Sequence, residues 1–211
     1  IVEKEILKFL PQDYVSSNIN QLIYIQKENE KEGQLEFRKK VEEVQQRTQK
    51  YLVKKGENLD FLVGMGKSVT GYHHLKESFE DSKMALEYIN VIRKIIGDKD
   101  KAVVDCSKLG IFYALIKMHD KETLWTYIPD SLHRLYQNDI KKNGELIDTL
   151  ECFLNNNQSL KKTSQQMYIH YRTVSYRLQK ITEISGMDFG NAAEMLVVRN
   201  GLIVLRIIEE M

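Results

Sequence analysis

One stretch of this chain, residues 155–181, restricts the possible fold more than any other, because it predicts two short helices joined by a tight turn. The first helix is expected over residues 159–166. The second, the candidate recognition helix, is expected over about residues 170–181. One face of this second helix is apolar at the i, i+4 and i+7 spacing of an α-helix, and it consists of Val174, Leu178 and Ile181. The polar side chains between them must then face outwards, which indicates a helix that can lie in the major groove of DNA.

The same stretch contains no acidic residue, although the chain as a whole is almost neutral. The 31 Lys and Arg residues and 30 Asp and Glu residues give a formal net charge of +1. No Asp or Glu occurs from Cys152 to Thr182, whereas the basic residues there are Lys161, Lys162, Arg172, Arg177 and Lys180. A near-neutral chain has no basic tail to coat nucleic acid, so attraction to a polyanion must come from this local patch.

The outward side chains divide into candidates for base contacts and candidates for phosphate contacts. Arginine pairs with guanine and glutamine with adenine, so the base-edge candidates are Tyr171, Arg172, Ser175 and Gln179. Cations and hydroxyl groups bind phosphates, so the phosphate candidates are Lys161, Lys162, Thr173, Tyr176 and Lys180. Tyr168 in the turn and His170 at the helix start complete the predicted DNA-binding set. For His170, a capping contact at the start of the helix is an equally good interpretation.

The segment IHYRTVSYRLQKITEISGMDF resembles the C-terminal helix-turn-helix of PucR-like regulators, the group of purine-catabolism and sugar-diacid regulators. The matching positions are Ile169, His170, Thr173, Val174, Tyr176, Arg177, Leu178, Ile181, Gly186 and Asp188. Tyr171 and Arg172 depart from the pattern, because the family usually has Arg and Asn there. Both lie on the outer face, so no operator sequence is carried over. The resemblance implies a bacterial transcriptional regulator that binds double-stranded DNA as a homodimer.

A second resemblance concerns FLVGMGKSVTGYHHLKESFEDSKMALEYI, which looks like the GGDEF-related domain that precedes the helix-turn-helix in the same regulators. The matching positions are Val63, Gly64, Met65, Gly66, Ser78, Phe79, Ser82, Ala85 and Leu86. The cyclase signature is missing, because YVSSNINQL has neither a Gly-Gly turn nor paired acids. Without carboxylates to hold metal ions, nothing neutralises the charge of two nucleoside triphosphates. The resemblance therefore implies a catalytically silent domain, with no cofactor, no metal and no enzyme activity.

The expected fold is α/β, or α+β: a small sheet with packed helices, GGDEF-like and degenerate, followed by an all-α helix-turn-helix domain. The predicted domains are residues 1–118, a helical linker over 119–142, and the DNA-binding domain over 143–211. The predicted strands cover residues 21–25, 59–65 and 102–105. The predicted helices before the DNA-binding domain cover residues 1–10, 34–55, 74–96, 107–118 and 121–137. The dimer surface is left open between the charged helix over 34–55 and the apolar helix over 192–208.

Two alternatives from other classes remain: a nucleotide sensor and a protein-interaction module without DNA binding. GMGKS, from Gly64 to Ser68, resembles the end of a P-loop, but Phe61 stands where that loop needs its first glycine. Adjacent His73 and His74 do not face the same way on a helix, so they predict no metal site. An interaction module would use the basic helix to contact an acidic partner.

The remaining sequence features concern the cellular context. Cys106 and Cys152 are far apart and no secretory signal is present, which predicts reduced thiols in the cytoplasm. Apolar runs such as residues 109–116 are too short to span a bilayer. The chain begins with Ile1 rather than Met. We therefore expect a fragment whose small-molecule effector acts through a domain that precedes it.

Overall fold

The computed structural model describes residues 15–17, 21–26, 34–96, 98, 100–118, 120–142 and 144–211, and these form two compact units. The first unit contains the described residues up to Ile89 together with residues 100–108. The second contains the described residues from 90 to 98 and from 109 to 211. The helix predicted over residues 1–10 lies outside the described residues.

The first unit combines two pairs of short strands with helices. Its elements are β1 (Val15–Ser17), β2 (Leu22–Tyr24), α1 (Gln34–Lys54), β3 (Val63–Met65), a 3-10 turn (Tyr72–His74), α2 (Leu75–Glu87), β4 (Val103–Asp105) and a second 3-10 turn (Cys106–Lys108). Strands β1 and β2 pair antiparallel, and β3 and β4 pair parallel with Val63 opposite Val103. A small sheet with packed helices is thus confirmed in its coarse form, but the described strands form two separate two-stranded sheets.

Helix α1 is amphipathic and ends at a glycine, as its sequence predicts. Val41, Val44 and Leu52 are buried. Gly56 has a φ of 75°, the left-handed conformation that favours glycine just after a helix. Leu35 is predicted on the same buried side, and this prediction is wrong. The side chain lies in the first turn of the helix and is 67% exposed, because no described element covers that end.

Strand β3 and helix α2 pack with their backbones in direct contact, and two glycines make this possible. A Cβ atom built on Gly64 would lie 2.1 Å from the carbonyl oxygen of Ser82. A Cβ atom built on Gly66 would lie 1.9 Å from the carbonyl oxygen of Ser78. Only glycine leaves room for such an approach. The glycines of GMGKS therefore have a structural role that the sequence pattern alone did not reveal.

Three shorter predictions differ from the structure. Ser16 and Ser17 are residues that favour a turn, but they lie in β1 instead, because Ser16 pairs with Ile23 across the antiparallel ladder. The strand predicted over residues 59–65 is a strand only in its last part, β3. The helix predicted over residues 107–118 is α-helical only in its second half.

Two long helices predicted as continuous are interrupted. The helix predicted over residues 74–96 is divided at Tyr88 into α2 and α3 (Ile89–Ile96). Tyr88 has a φ of −96° and a ψ of 23°, outside the helical range, and its side chain is buried. The helix predicted over residues 121–137 is divided ahead of Asp130, because Pro129 has no backbone N–H group to extend a helical ladder.

The second unit is helical throughout its described elements. After most of α3 it contains α4 (Ile111–Lys117), α5 (Lys121–Trp125), α6 (Asp130–Lys142), α7 (Leu146–Asn155), α8 (Leu160–Met167), α9 (Tyr171–Ser185) and α10 (Ala192–Glu210). Helix α6 contacts α9, and α5 contacts α10. Residues of the predicted linker thus pack in the same unit as the helix pair. The domain boundaries at residues 118 and 142 stay predictions.

Helix α10 supplies much of the core of the second unit. Val198, Leu202 and Leu205 are buried, as the apolar character of this helix predicts. Gly201 allows α10 to approach the start of α6, since a Cβ atom there would lie 2.6 Å from Cδ of Pro129. Among the described residues, no helix combines the length and apolar character needed to cross a membrane.

A partly buried ion cluster fixes α10 to α7. Arg206 donates from Nε and from a terminal nitrogen to Glu151, at 3.1 and 2.8 Å. It also pairs with Asp148 at 2.5 Å and with Glu209 at 2.8 Å. Burial lowers the pKa of Arg206, but the carboxylates of Glu151 and Glu209 raise it by more, so the guanidinium stays charged. Because α7 also contacts α8 and α9, this cluster stabilises the helix on which α8 and α9 pack.

Candidate nucleic-acid interface

Helix α8 and the turn after it occupy the positions that the sequence predicts, within one residue. The Oγ atom of Ser159 caps the helix by accepting a hydrogen bond from the backbone N of Lys162 at 3.4 Å. The helix ends where Tyr168 adopts the left-handed conformation, with a φ of 55° and a ψ of 36°. The backbone N of Ile169 then donates to the carbonyl of Ser164 at 3.1 Å, which closes the turn.

Helix α9 begins after a histidine cap. Nδ1 of His170 accepts a hydrogen bond from the backbone N of Arg172 at 3.2 Å, so the capping interpretation of this residue is confirmed. The ring stays exposed, 4.5 Å from the ring of Tyr171. The helix continues to Ser185, one turn beyond the predicted end at residue 181. It ends at Gly186, which has a φ of 74°.

The inner face of the helix pair is packed into the second unit. Val174 and Ile181 are fully buried, and Leu178 is nearly so, as their spacing predicts. From α8, Thr163 is also fully buried, and its hydroxyl donates to the carbonyl of Ser159 at 2.8 Å. These contacts fix the orientation of α9 against α6, α7 and α8. The outer face of α9 is therefore presented by a rigid support.

The structure leaves most of the predicted DNA-binding side chains exposed on the outer side. The exposed members are Lys161, Lys162, Tyr168, His170, Tyr171, Arg172, Thr173, Ser175, Tyr176 and Gln179, and Lys180 is partly buried. Tyr168 is 95% exposed, more than any other large apolar or aromatic side chain of the described residues. Lys161 and Lys162 form no ion pair with any residue that the structure describes. This surface offers cations, hydroxyl groups and aromatic rings together.

Arg177 differs from the other cations of the stretch, because it points towards α7. It pairs with the carboxylate of Glu145 and donates to Oγ1 of Thr149 at 3.2 Å. Its side chain is only 19% exposed. Sequence reasoning counted Arg177 in the basic patch and missed this role. The available signal was its position three residues after Val174, beside the apolar stripe.

Glu183 is a second residue that sequence reasoning missed. Its Oε1 accepts from Nε2 of Gln179 at 3.0 Å, and its Oε2 accepts from Nζ of Lys180 at 2.6 Å. The hydrogen bond from Lys180 lowers the pKa of Glu183, and the same bond raises the pKa of Lys180. Two of the predicted DNA contacts are thus held by one carboxylate. The i+3 and i+4 spacing could have indicated it.

A carboxylate from α6 fixes the start of α7. The side chain of Asp139 accepts from the backbone N atoms of Leu146 and Ile147, at 3.0 and 2.9 Å. Asp139 is buried, and a Cβ atom on Gly144 would lie 2.2 Å from its Oδ1. A side chain at position 144 would therefore displace the carboxylate that caps α7. The capped helix then supports both members of the pair.

A capped short helix, a tight left-handed turn and a longer helix with a buried stripe and a polar outer face define a helix-turn-helix domain of the kind that docks on DNA. Residues 146–204 match the family described as the PucR C-terminal helix-turn-helix domain. This part of the chain is a PucR-type helix-turn-helix domain, and the resemblance to PucR-like regulators is confirmed. The match does not extend to the first unit, so the GGDEF-like resemblance stays a prediction.

The chain is also similar to curated bacterial regulators. It is 31% identical over 129 residues to the proline-responsive transcriptional activator PutR of Bacillus subtilis (strain 168), covering 61% of this chain and 30% of that protein. It is 23% identical over 151 residues to the DNA-binding transcriptional activator AdeR of the same organism, covering 72% and 35%. It is 26% identical over 165 residues to the carbohydrate diacid regulator of Escherichia coli (strain K12), covering 77% and 39%. The chain thus spans 30–39% of the length of these relatives. No solved structure matches it.

Proposed function

We propose that this chain is the DNA-binding part of a transcriptional regulator and that α9 lies in the major groove of duplex DNA. The observation that carries the proposal is the outer face of α9, where Arg172, Ser175 and Gln179 are exposed while the opposite stripe is buried. The relatives are named as transcriptional activators or as a regulator, which supports the same function. The charge pattern agrees, because the stretch from Cys152 to Thr182 has no acid.

The exposed side chains have distinct roles in this proposal. Tyr171, Arg172, Ser175 and Gln179 reach base edges, because they occupy the first three turns of the recognition helix. Lys161, Lys162, Thr173, Tyr176 and Lys180 bind phosphates, which fixes the register of the domain on the duplex. Lys161 and Lys162 lie in the first turn of α8, where backbone N–H groups also favour an anion.

Tyr168 provides a separate argument for a binding surface. A non-glycine residue in the left-handed conformation costs about 1–2 kcal/mol, which glycine would avoid. The side chain of Tyr168 gives no packing in return, since it is 95% exposed. Strain of this kind often accompanies a functional role. We infer that the ring contacts the DNA backbone beside the turn.

The regulator acts as a homodimer in this proposal. Two copies related by dyad symmetry would set two recognition helices about 34 Å apart, one turn of DNA. Helices α1 and α10 are the candidate surfaces. On α10, Leu196 is 60% exposed and Val197 is 51% exposed, so two adjacent apolar side chains face outwards there. Light scattering of the purified chain tests the stoichiometry directly.

The proposal includes a degenerate GGDEF-like domain in the first unit. The close packing of Gly64 on Ser82 and of Gly66 on Ser78 supports it, because these are the positions that carry the resemblance. The domain is not an enzyme in this proposal. A small-molecule effector acts through a region outside this chain, since the relatives are much longer and one is named as proline-responsive. The protein works in the cytoplasm, where its DNA lies.

Two measurements test the proposed function. Fluorescence anisotropy with random-sequence duplex at low salt should give binding that weakens steeply as salt rises. Selection from a random duplex library should then enrich one motif. Absence of binding at low salt would refute the proposal and favour the interaction module. A thermal shift with purine nucleotides and no duplex binding would favour the nucleotide sensor.

A further inference from the structure

Glu183 lies on the same face of α9 as side chains that we assign to base contacts. Arg172, Gln179 and Glu183 stand at i, i+7 and i+11, so at about 100° per residue they project within about 40° of one another. Glu183 is about 16 Å from Arg172 along the helix axis. Its side chain is 46% exposed. The DNA-facing stripe therefore ends in a carboxylate, the first acid after the acid-free stretch.

The contacts of this carboxylate involve two side chains of the interface. It accepts from Lys180 at 2.6 Å and from Gln179 at 3.0 Å. A carboxylate only accepts hydrogen bonds, so the amide nitrogen of Gln179 must face Glu183 and its carbonyl oxygen must face away. The hydrogen bond from Lys180 also lowers the pKa of Glu183 below its ordinary value.

We propose that Glu183 is a specificity-determining residue of this DNA-binding face, which weakens binding to unrelated sequences and orients Gln179 for its base. The inference rests on the proposed function. Glu183 acts in two ways. It repels the phosphates of any duplex and competes with them for Lys180. It also fixes the amide of Gln179 in one orientation before DNA arrives.

The repulsion by Glu183 and the orientation of Gln179 affect non-specific and specific DNA complexes differently. Non-specific binding depends almost entirely on charge neutralisation, so a carboxylate at the interface weakens it fully. A specific complex gains additional free energy from base contacts, and a pre-oriented Gln179 loses less side-chain freedom when it binds. The ratio of the two affinities determines whether a regulator finds its site in a genome. Glu183 raises this ratio.

The test compares Glu183→Gln with Glu210→Gln, a matched loss of one charge at the exposed end of α10. Anisotropy is measured from about 50 to 200 mM salt with a random duplex and with the duplex enriched by selection. We expect Glu183→Gln to bind the random duplex about three- to tenfold more tightly, with a salt slope steeper by about one unit. The enriched duplex should gain less, and Glu210→Gln should match the unchanged chain.

A second variant separates repulsion from the release of Lys180. In the Lys180→Gln background, Glu183→Gln should lose most of its effect on the salt slope, because no released ammonium is available to bind a phosphate. Selection repeated with Glu183→Gln should relax the preference at one base position, the one that Gln179 reads. A merely structural residue would move neither readout. Thermal unfolding of each variant checks that the fold is intact.

Three outcomes would overturn the inference. Equal behaviour of Glu183→Gln and Glu210→Gln would mean that Glu183 does not face the DNA. Weaker binding of the enriched duplex with unchanged binding of the random duplex would mean that Glu183 itself reads a cytosine amino group. If the unchanged chain binds no duplex at low salt, the proposed function fails first, and this inference fails with it.

Discussion

The two units of this protein each contain a short motif that suggests contact with phosphate, and they use it in opposite ways. In the first unit, the glycines of GMGKS lie against α2, where Gly64 and Gly66 leave room for the backbone of Ser82 and Ser78. In the second unit, the polar residues of HYRTVSYRLQK other than Arg177 stand on the outer face of α9. The glycines of the first motif are packed against α2, whereas the polar side chains of the second motif are exposed and can contact a partner.

The comparison shows that a motif can bind a partner only where its characteristic residues are exposed and are not needed for packing. A phosphate loop needs glycines because the ligand approaches their backbone, but at Gly64 and Gly66 that space is already occupied by a helix. On α9, the apolar stripe and the inward-pointing Arg177 hold the helix in place. Arg172 and Ser175 can then change without loss of packing. The predictions below test this division.

The largest effect is expected from Gly64→Ala in the first unit. The new Cβ would lie 2.1 Å from the carbonyl oxygen of Ser82 and 2.8 Å from Cγ of Leu86, so the strand or the helix must move. We expect the first unit to lose about 3 kcal/mol of stability, measured by hydrogen exchange of β3 and α2 during urea titration. The fluorescence of Trp125, the single tryptophan, should report an unchanged second unit.

Gly56→Ala is the matched control, because no atom lies within 4 Å of its added Cβ. It should cost only the left-handed conformation, about 1 kcal/mol. The structural role of Gly64 would be contradicted if Gly64→Ala left the stability of the first unit unchanged and abolished a thermal shift with a purine nucleotide. The loop would then be a ligand site after all.

The next effect separates two arginines of α9 that the sequence treats alike. Arg172→Ala should lower the affinity for the enriched duplex by about 1–3 kcal/mol and relax its sequence preference, with little change in stability. Arg177→Ala should instead destabilise the second unit by about 1 kcal/mol, because it removes the ion pair with the largely exposed Glu145 and the hydrogen bond to Thr149. Anisotropy and thermal unfolding of both variants give the answer. If Arg172→Ala leaves affinity and preference unchanged, the docking geometry is wrong.

The helix pair itself could be predicted from the sequence because local signals agree with one another. Val174, Leu178 and Ile181 follow one face, and Ser159 and His170 cap the two helices where the pattern begins. Each signal acts within a few residues. Tertiary packing then stabilises helices that the local sequence already favours.

Other features could not be predicted, because distant residues decide them. Tyr88 interrupts a helix-forming stretch with a φ of −96° and a ψ of 23°, and no sequence signal marks this break. Arg177 turns inwards because Glu145 lies on a neighbouring helix. The effect of Glu183 depends on side-chain conformations, which periodicity does not describe. The space that Gly64 provides is likewise defined only once α2 is folded against it.

A smaller effect on stability, with a clear effect on binding, is expected at Tyr168. Tyr168→Gly relieves the left-handed strain but gains freedom in the unfolded chain, so its stability should change by less than about 1 kcal/mol. Affinity for duplex should fall several-fold as the exposed ring is lost. Asn157→Gly is the control, because Asn157 has a φ of 52° and is exposed outside the proposed interface. Equal binding by both variants would exclude Tyr168 from the interface.

The smallest effect is expected at Lys162, and it tests whether the cations of α8 contact DNA phosphates. Lys162→Ala should weaken binding to random and enriched duplexes alike and lower the salt slope by about one unit, because one phosphate contact is lost. Lys121→Ala removes the same charge from the exposed start of α5 and should leave the slope unchanged. An unchanged slope for Lys162→Ala would remove α8 from the interface, whereas equal slopes for both variants would mean that overall charge, not this face, attracts the duplex.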